Sequence, residues 1–431
     1  MDIVFLCKVV DNFGDIGFVY RLALSLKKIA FRENKSVNLF LVVSNLHSFN
    51  FIEPLVDPAL SEQTVRGLKI IDWNNNELCR ERFAFLRQEA HGKQNVPIIL
   101  ECFQCGRPVW LEEILFPQNY TQLNLNTVQI INVEYLTAEE WADDFHLLKS
   151  GTRDKNVKKI NFFPGFTNKT AGLLLDSPFV ECIKDKEVSL SLLQKESKLS
   201  KEFFSYLKNN DDFCILLFSY PRNFTDVVEA IKEFEAKKKK ENKNFSVRVF
   251  VAGGVGKKSF IEECKKQDFP FSVYELPYLS QEKWDSLLTL TDANCIRGED
   301  SFSRACLSGT PFLWHAYVQD EEFQLVKIDA FLKRLEPFFS KEDFLLLRKL
   351  YLKYNRTKEK TLGEEALGVC GDVLDVKCAT DEPCNVKEEF LLFLNKNEVL
   401  REGFKKFSEF LFFNGDFAQH LWQYVNTLEY S

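Results

Sequence analysis

The sequence predicts an α/β protein made of two Rossmann-like, doubly wound domains. The chain has 431 residues, and a single hydrophobic core rarely grows beyond about 250–300 residues, so two domains are expected. Residues 3–10 form a continuous apolar run of strand length, followed by a Gly-containing turn and then apolar residues at helical spacing. A parallel strand covered on both faces, feeding a helix, reads this way. The same cycle begins again after about residue 180.

In the first cycle the strand at 3–10 leads into the turn Asp11-Asn-Phe-Gly-Asp-Ile-Gly17. Phe18, Leu22, Leu26 and Ile29 then mark one face of a helix. Further strands are expected at 37–44, 70–73, 97–102 and 128–133. In the second cycle strands are expected at 213–220, 246–251, 272–276, 293–296 and 311–315, with helices at 224–240, at 281–290 and from Ser301 to Leu307. Alternating strands and helices imply right-handed crossovers and parallel sheets. Residues 360–386 read as a polar insertion. Residues 417–425 read as a final helix with Asp416 placed to cap it. The domains are therefore expected at 1–175 and 176–414, with the helix at about 415–428 placed to pack back on the first.

Composition excludes several classes. The apolar share of 45% and charged share of 28% are those of an ordinary globular protein. A net charge of −7 lacks the basic excess of a nucleic-acid binder, and Lys237 to Lys240 read as a solvated helix end. No apolar run approaches the ~20 residues of a membrane span. Met1 to Val10 lacks the basic leader of a secretory signal, so the cytoplasm is expected. The 12 Cys are scattered. Cys102 and Cys105 form one CxxC without a second pair at zinc spacing, and Cys370, Cys378 and Cys384 read as reduced thiols in a polar loop, with a metal site or a disulfide as the alternative.

Three constellations carry chemistry. Asp11 and Asp15 lie in the loop after the first strand, where ligands of open α/β sheets bind. Two carboxylates there suit catalysis on a cationic group; capping of the following helix is the alternative. The glycines do not make a GxGxxG fingerprint, which disfavours NAD. The second is Arg297-Gly-Glu-Asp-Ser301, between a strand and a helix. Asp300 or Ser301 is placed to cap that helix, and its first N–H groups with Arg297 suit a phosphate; a surface turn with an Arg–carboxylate pair is the alternative. Glu299 and Asp300 then imply that one acidic group meets another part of the ligand. The third is aromatic: Phe218 and Tyr220 at a strand end, and Tyr278 shortly before Gln281. Such rings stack on a flat base or pack in the core. No Asp-x-Asp occurs, so no metal is expected.

Five blocks together resemble the elongation factor P arginine rhamnosyltransferases (EarP). They are Lys8-Val-Val-Asp-Asn-Phe-Gly-Asp-Ile-Gly17 with Arg21-Leu-Ala23, Asn132-Val-Glu-Tyr-Leu-Thr-Ala-Glu-Glu-Trp141, Phe162-Phe-Pro-Gly-Phe-Thr167, Arg297-Gly-Glu-Asp-Ser-Phe302 and Pro311-Phe-Leu-Trp-His315. The resemblance implies a GT-B fold, with an N-terminal acceptor domain and a C-terminal nucleotide-sugar donor domain facing a central cleft. It implies a dTDP-β-L-rhamnose donor, inversion at the sugar, no metal or other cofactor, and an arginine of elongation factor P as acceptor, activated thereby for rescue of polyproline-stalled ribosomes. Under it Asp15 is the general base, Asp11 its partner and Glu299 the further catalytic acidic residue. Asn12, Phe13 and Gly14 lie on the donor, Arg297, Asp300 and Ser301 serve the diphosphate, and Phe218, Tyr220, Tyr278 and Gln281 line the nucleotide and sugar pocket. Three features depart from the family pattern: His146-Leu-Leu-Lys-Ser150, Ala171 before Gly172, and the Cys-bearing segment near 364–386. The competing readings are a non-catalytic nucleotide-sugar binding protein and a transferase of changed sugar or acceptor.

Overall fold

The computed structural model describes residues 1–10, 13–88, 96–118, 124–195, 198–356 and 385–428. Asp11, Asn12, Cys370, Cys378, Cys384 and nearly all of the expected insertion at 360–386 lie outside them. The chain divides into two compact units, Met1–Val180 with Leu411–Ser431, and Glu181–Phe410.

The strands of the first unit are β1 (Asp2–Cys7), β2 (Asn38–Val43), β3 (Glu62–Val65), β4 (Leu68–Asp72), β5 (Ile98–Cys102), β6 (Val128–Val133), β7 (Lys149–Ser150) and β8 (Val157–Phe162). They form one sheet in the order β3-β4-β2-β1-β5-β6-β8-β7, parallel except for β3 and β7 at the edges. The chain winds outward from β1 to β4, then reverses to the other side at β5, so the switch point lies between β1 and β5. Ile3, Val4, Phe5 and Leu6 are fully buried. Period-2 alternation sends Ile3 and Phe5 to the face covered by the helix Gly14–Arg32, and Val4 and Leu6 to the face holding Phe83 and Trp110.

The second unit holds β9 (Asp212–Leu217), β10 (Ser246–Val251), β11 (Ser272–Glu275), β12 (Ala293–Arg297) and β13 (Phe312–His315). Their order is β11-β10-β9-β12-β13, all parallel, with the reversal between β9 and β12. Each unit is thus Rossmann-like and doubly wound, as the sequence predicts.

Two apolar runs overshoot their strands. The run at 3–10 stops pairing at Cys7, because the Val9 and Val10 amides bond to the Ser44 hydroxyl (2.9 Å) and the Asp15 carboxylate (2.7 Å). The run at 213–220 leaves the sheet after Leu217. The strand Val157–Phe162 was not predicted; Lys158, Lys159 and Asn161 interrupt its apolar pattern.

The helix Phe417–Leu428 completes the first unit. Phe417, Leu421, Trp422 and Val425 join the cluster of Ile16, Val19 and Leu26. The Asp416 carboxylate accepts the Ala418 N–H (3.2 Å), as a cap does, and also the Leu175 N–H (2.9 Å). The Trp422 indole is buried and donates to Glu33 at 2.7 Å. Trp422→Ala is expected to destabilise this unit by about 3–5 kcal/mol, read as a lowered urea midpoint.

Candidate active site

The second unit gathers several of the expected residues at its switch point. Arg297 ends β12 and Phe218 follows β9, and the Phe218 N–H donates to the Cys295 carbonyl at 2.7 Å across that junction. The Arg297 guanidinium carbon lies 4.5 Å from the Phe218 ring centroid and 4.6 Å from that of Tyr220. Cation–π attraction therefore holds a positive charge at the carboxyl edge of the sheet. Both rings are partly buried, Phe218 against Trp284 and Tyr220 against His315 and Tyr317. A Cβ added at Gly254 would sit 3.2 Å from Arg297 Nη2 and 3.3 Å from the Phe218 ring, so glycine permits this close approach.

The helix Glu299–Ser308 starts here, and its N-cap is Gly298. Gly298 has φ 77° and ψ 154°, a region almost confined to glycine. No side chain caps the helix, which corrects the capping role expected of Asp300 or Ser301. Both lie inside the first turn with Glu299, because the chain has already turned at Gly298. Ser301 Oγ accepts the Trp284 indole N–H at 3.1 Å, and Asp300 lies 3.8 Å from Arg304. With glycine at the N-cap, a ligand anion can approach the first N–H groups, provided that Glu299 and Asp300 of the same turn point away from it. Tyr278 lies after β11 and is 55% exposed, so it is no core residue. Gln281 opens the helix Gln281–Leu290, which also carries Trp284 against Phe218 (5.3 Å, edge-on).

Behind this set stands a buried polar chain. His315 Nδ1 lies 2.7 Å from the Ser219 hydroxyl and accepts the Tyr220 N–H at 3.2 Å; Ser219 Oγ is 3.0 Å from the Tyr354 hydroxyl. Burial, reinforced by the charges of Arg222 and Arg297, holds His315 at about 3 instead of its ordinary 6.5. The neutral imidazole thereby anchors the backbone of Tyr220. Sequence reasoning missed Trp284, Ser219 and Tyr354. Trp284 stands one helical turn after Gln281, and that spacing was the available signal.

In the first unit Asp15 lies in the first turn of the helix Gly14–Arg32 and is 3% exposed. Phe13, not Asp15, is the N-cap, and the Asp15 carboxylate accepts the Val10 N–H. Asp15 thus ties the loop after β1 to the helix that follows instead of capping it. Phe13 is partly exposed and meets Phe51 edge-on at 5.4 Å; Gly14 opens the helix. Cys102 and Cys105 are free thiols, and burial pushes Cys105 up to about 12.

A pocket of about 780 Å³ opens at the carboxyl ends of β5, β6 and β8. Glu101, Gln104, Asn132, Glu134 and Trp141 are among its walls. Glu101 accepts from Arg107 (2.7 Å) and Lys159 (2.6 Å). A glutamate inside the apolar run at 97–102 was the sequence signal for this site, and it went unused.

His315 yields a pH prediction. Between pH 6.5 and 3 the unfolded chain binds a proton that the folded His315 does not, so its contribution to stability is complete above pH 6.5 and declines as pH falls. One such site gives a slope of about 1.4 kcal/mol per pH unit. His315→Gln is expected to flatten the fall in urea-unfolding free energy between pH 6.5 and 4.5; an unaltered slope refutes the assignment.

Comparison with known proteins bears on these sites. The family model described as elongation factor P (EF-P) rhamnosyltransferase EarP matches residues 1–426. A protein-arginine rhamnosyltransferase of Shewanella oneidensis is 28% identical over 340 residues, covering 76% of this chain and 79% of that protein. One from Pseudomonas aeruginosa is also 28% identical, covering 76% and 80%. A solved structure described as the structural basis for EarP-mediated arginine glycosylation of translation elongation factor EF-P has TM-score 0.53 and 18% identity, covering 99% of each chain, which shows a shared fold. With the family model matched along nearly its whole length, the chain belongs to the EF-P rhamnosyltransferase EarP family and is a glycosyltransferase.

Proposed function

We propose that this enzyme transfers L-rhamnose from dTDP-β-L-rhamnose, with inversion, to the side chain of one arginine in elongation factor P. The observation that carries the reading is the family match over residues 1–426. The charge and aromatic character at the β9–β12 switch point support a nucleotide-diphosphate donor. No described helix is long and apolar enough to cross a membrane, which accords with a cytoplasmic translation factor as substrate.

Guanidinium is always protonated in proteins and a poor nucleophile. Attack on the sugar's anomeric carbon therefore needs a carboxylate that orients it and takes a proton as the C–N bond forms. We assign that proton to Asp15, with Asp11 as its partner carboxylate and Glu299 as the further acidic group. The bond from the anomeric carbon to the diphosphate oxygen breaks in the same displacement, which inverts the centre, and dTDP departs. Arg297, with the first-turn N–H groups beside Asp300 and Ser301, takes up the charge of the departing diphosphate without a metal. Phe218, Tyr220, Tyr278 and Gln281 hold the base and sugar, and Asn12, Phe13 and Gly14 complete the donor site. The reading requires Asp15 and Arg297 to engage one donor molecule.

Intact mass of co-expressed elongation factor P is expected to rise by one deoxyhexose. Unchanged mass together with tight donor binding favours a nucleotide-sugar sensor instead. Asp15→Asn is expected to abolish the gain while the donor-induced rise in melting temperature persists; equal loss of both removes Asp15 from the base role. Arg297→Lys keeps the charge but loses the planar face against Phe218 and Tyr220, and is expected to weaken dTDP-rhamnose binding about tenfold, measured by calorimetry.

A further inference from the structure

The pocket of the first unit contains an imbalance. Five charged side chains in or beside it are mutually satisfied: Glu101 by Arg107 and Lys159, and Glu112 by Arg107 and Arg153. Glu134 differs. It is 6% exposed, and among the described residues only neutral amides bond to it. Gln104 Nε2 donates to both of its oxygens, at 3.1 and 2.9 Å, and Asn132 Nδ2 donates to one. Burial raises its carboxyl above the usual range in spite of these donors and of the Lys159 charge nearby. Asn132, 5% exposed and also in the pocket wall, has a side-chain oxygen with no hydrogen-bond partner. The site holds surplus acceptors, and its cations Arg107, Arg153 and Lys159 are bonded to Glu101 and Glu112, leaving Glu134 without an ion pair among the described residues.

The backbone beneath it is strained to keep this arrangement. Phe103 and Gln104 both have positive φ, 60° and 50°. Consecutive non-glycine residues of this kind persist only where their surroundings impose them. Here the Phe103 N–H donates to the Val133 carbonyl at 2.7 Å, and its ring stacks on Tyr135 at 4.5 Å. The result is that Gln104 is held on Glu134. Aromatic rings form another wall: Trp141 meets Phe145 at 5.8 Å and Phe163 at 5.5 Å, both edge-on, and Trp141 and Phe145 remain exposed.

A buried carboxylate without an ion pair, a spare acceptor and exposed aromatic faces together fit one kind of group. A guanidinium has five donors and no acceptor, and its plane stacks on rings. An anion is disfavoured because Arg107, Arg153 and Lys159 are already paired. The loops after β1 and β6 are separated by β5 alone, so Asp15 and Glu134 sit on the same edge of the sheet, two strand spacings or about 10 Å apart. We propose that the Glu134 pocket is the subsite that receives the guanidinium of the acceptor arginine, before its attack on the sugar. This rests on the arginine-transfer reading above.

A double-mutant cycle tests it, with wild-type enzyme and Glu134→Gln each titrated against elongation factor P carrying either its acceptor arginine or alanine there. Glu134→Gln is expected to weaken binding of the arginine form about tenfold, the worth of one charge-assisted bond, and to leave the alanine form unchanged. Equal weakening of both forms, or of neither, overturns the proposal. Trp141→Ala, at an exposed position, is expected to weaken the arginine form selectively as well. An unchanged donor-induced melting shift shows that each variant is folded. Coupling without any sugar transfer by the wild type would sink the arginine-transfer reading and leave the subsite; transfer without coupling would sink the subsite alone.

Discussion

The second unit is organised around one guanidinium held by two rings. Reversal of strand order brings β9 beside β12, and that adjacency sets Phe218 and Tyr220 against Arg297. Arg297 Nε is buried with no hydrogen-bond partner, so the rings are its conspicuous support. Trp284 props Phe218 from one side, and His315 fixes the Tyr220 amide from the other. A protonated His315 would lose its acceptor atom and add a third positive charge near Arg222 and Arg297; burial keeps it neutral.

The first unit uses the same topology, with carboxylates among the groups at its strand ends. Its switch point carries the loop tied down by Asp15, and the neighbouring strand ends carry Glu101 and Glu134. Buried ions are tolerated when they are paired and hydrogen-bonded. Arg87 with Asp154 deep in this unit, and Glu101 with Arg107 and Lys159, follow that rule. Glu134 follows it only in part, which makes it chemically available.

The strands of both sheets were legible because they are apolar on both faces, and the helix registers because their apolar residues recur at 3.6. The runs at 3–10 and 213–220 nevertheless ran three residues too long. Those last residues are where the chain leaves the sheet and the site begins, and apolar character does not register a change of hydrogen-bond partner. Arg297, Phe218 and Tyr220 could be named from sequence, whereas their mutual contact could not, since it depends on strand order. The cap at Gly298 was misjudged as Asp300 or Ser301 because glycine offers no side chain to suggest one. Glu134 lies inside a stretch that resembles a family motif, yet its lack of an ion pair, with Lys159 turned to Glu101, is a three-dimensional fact.

The first unit is discontinuous: its core takes in Phe417, Leu421 and Trp422, which follow the whole second unit in sequence. During synthesis the sheet of Met1–Val180 emerges without that covering helix, which follows only after all of Glu181–Phe410 is available. Domains ordinarily fold as they emerge, amino-terminal first. Here the inserted unit can close before the one that precedes it, and the incomplete face around Ile16 and Val19 is the surface that a chaperone would have to shield in the interval.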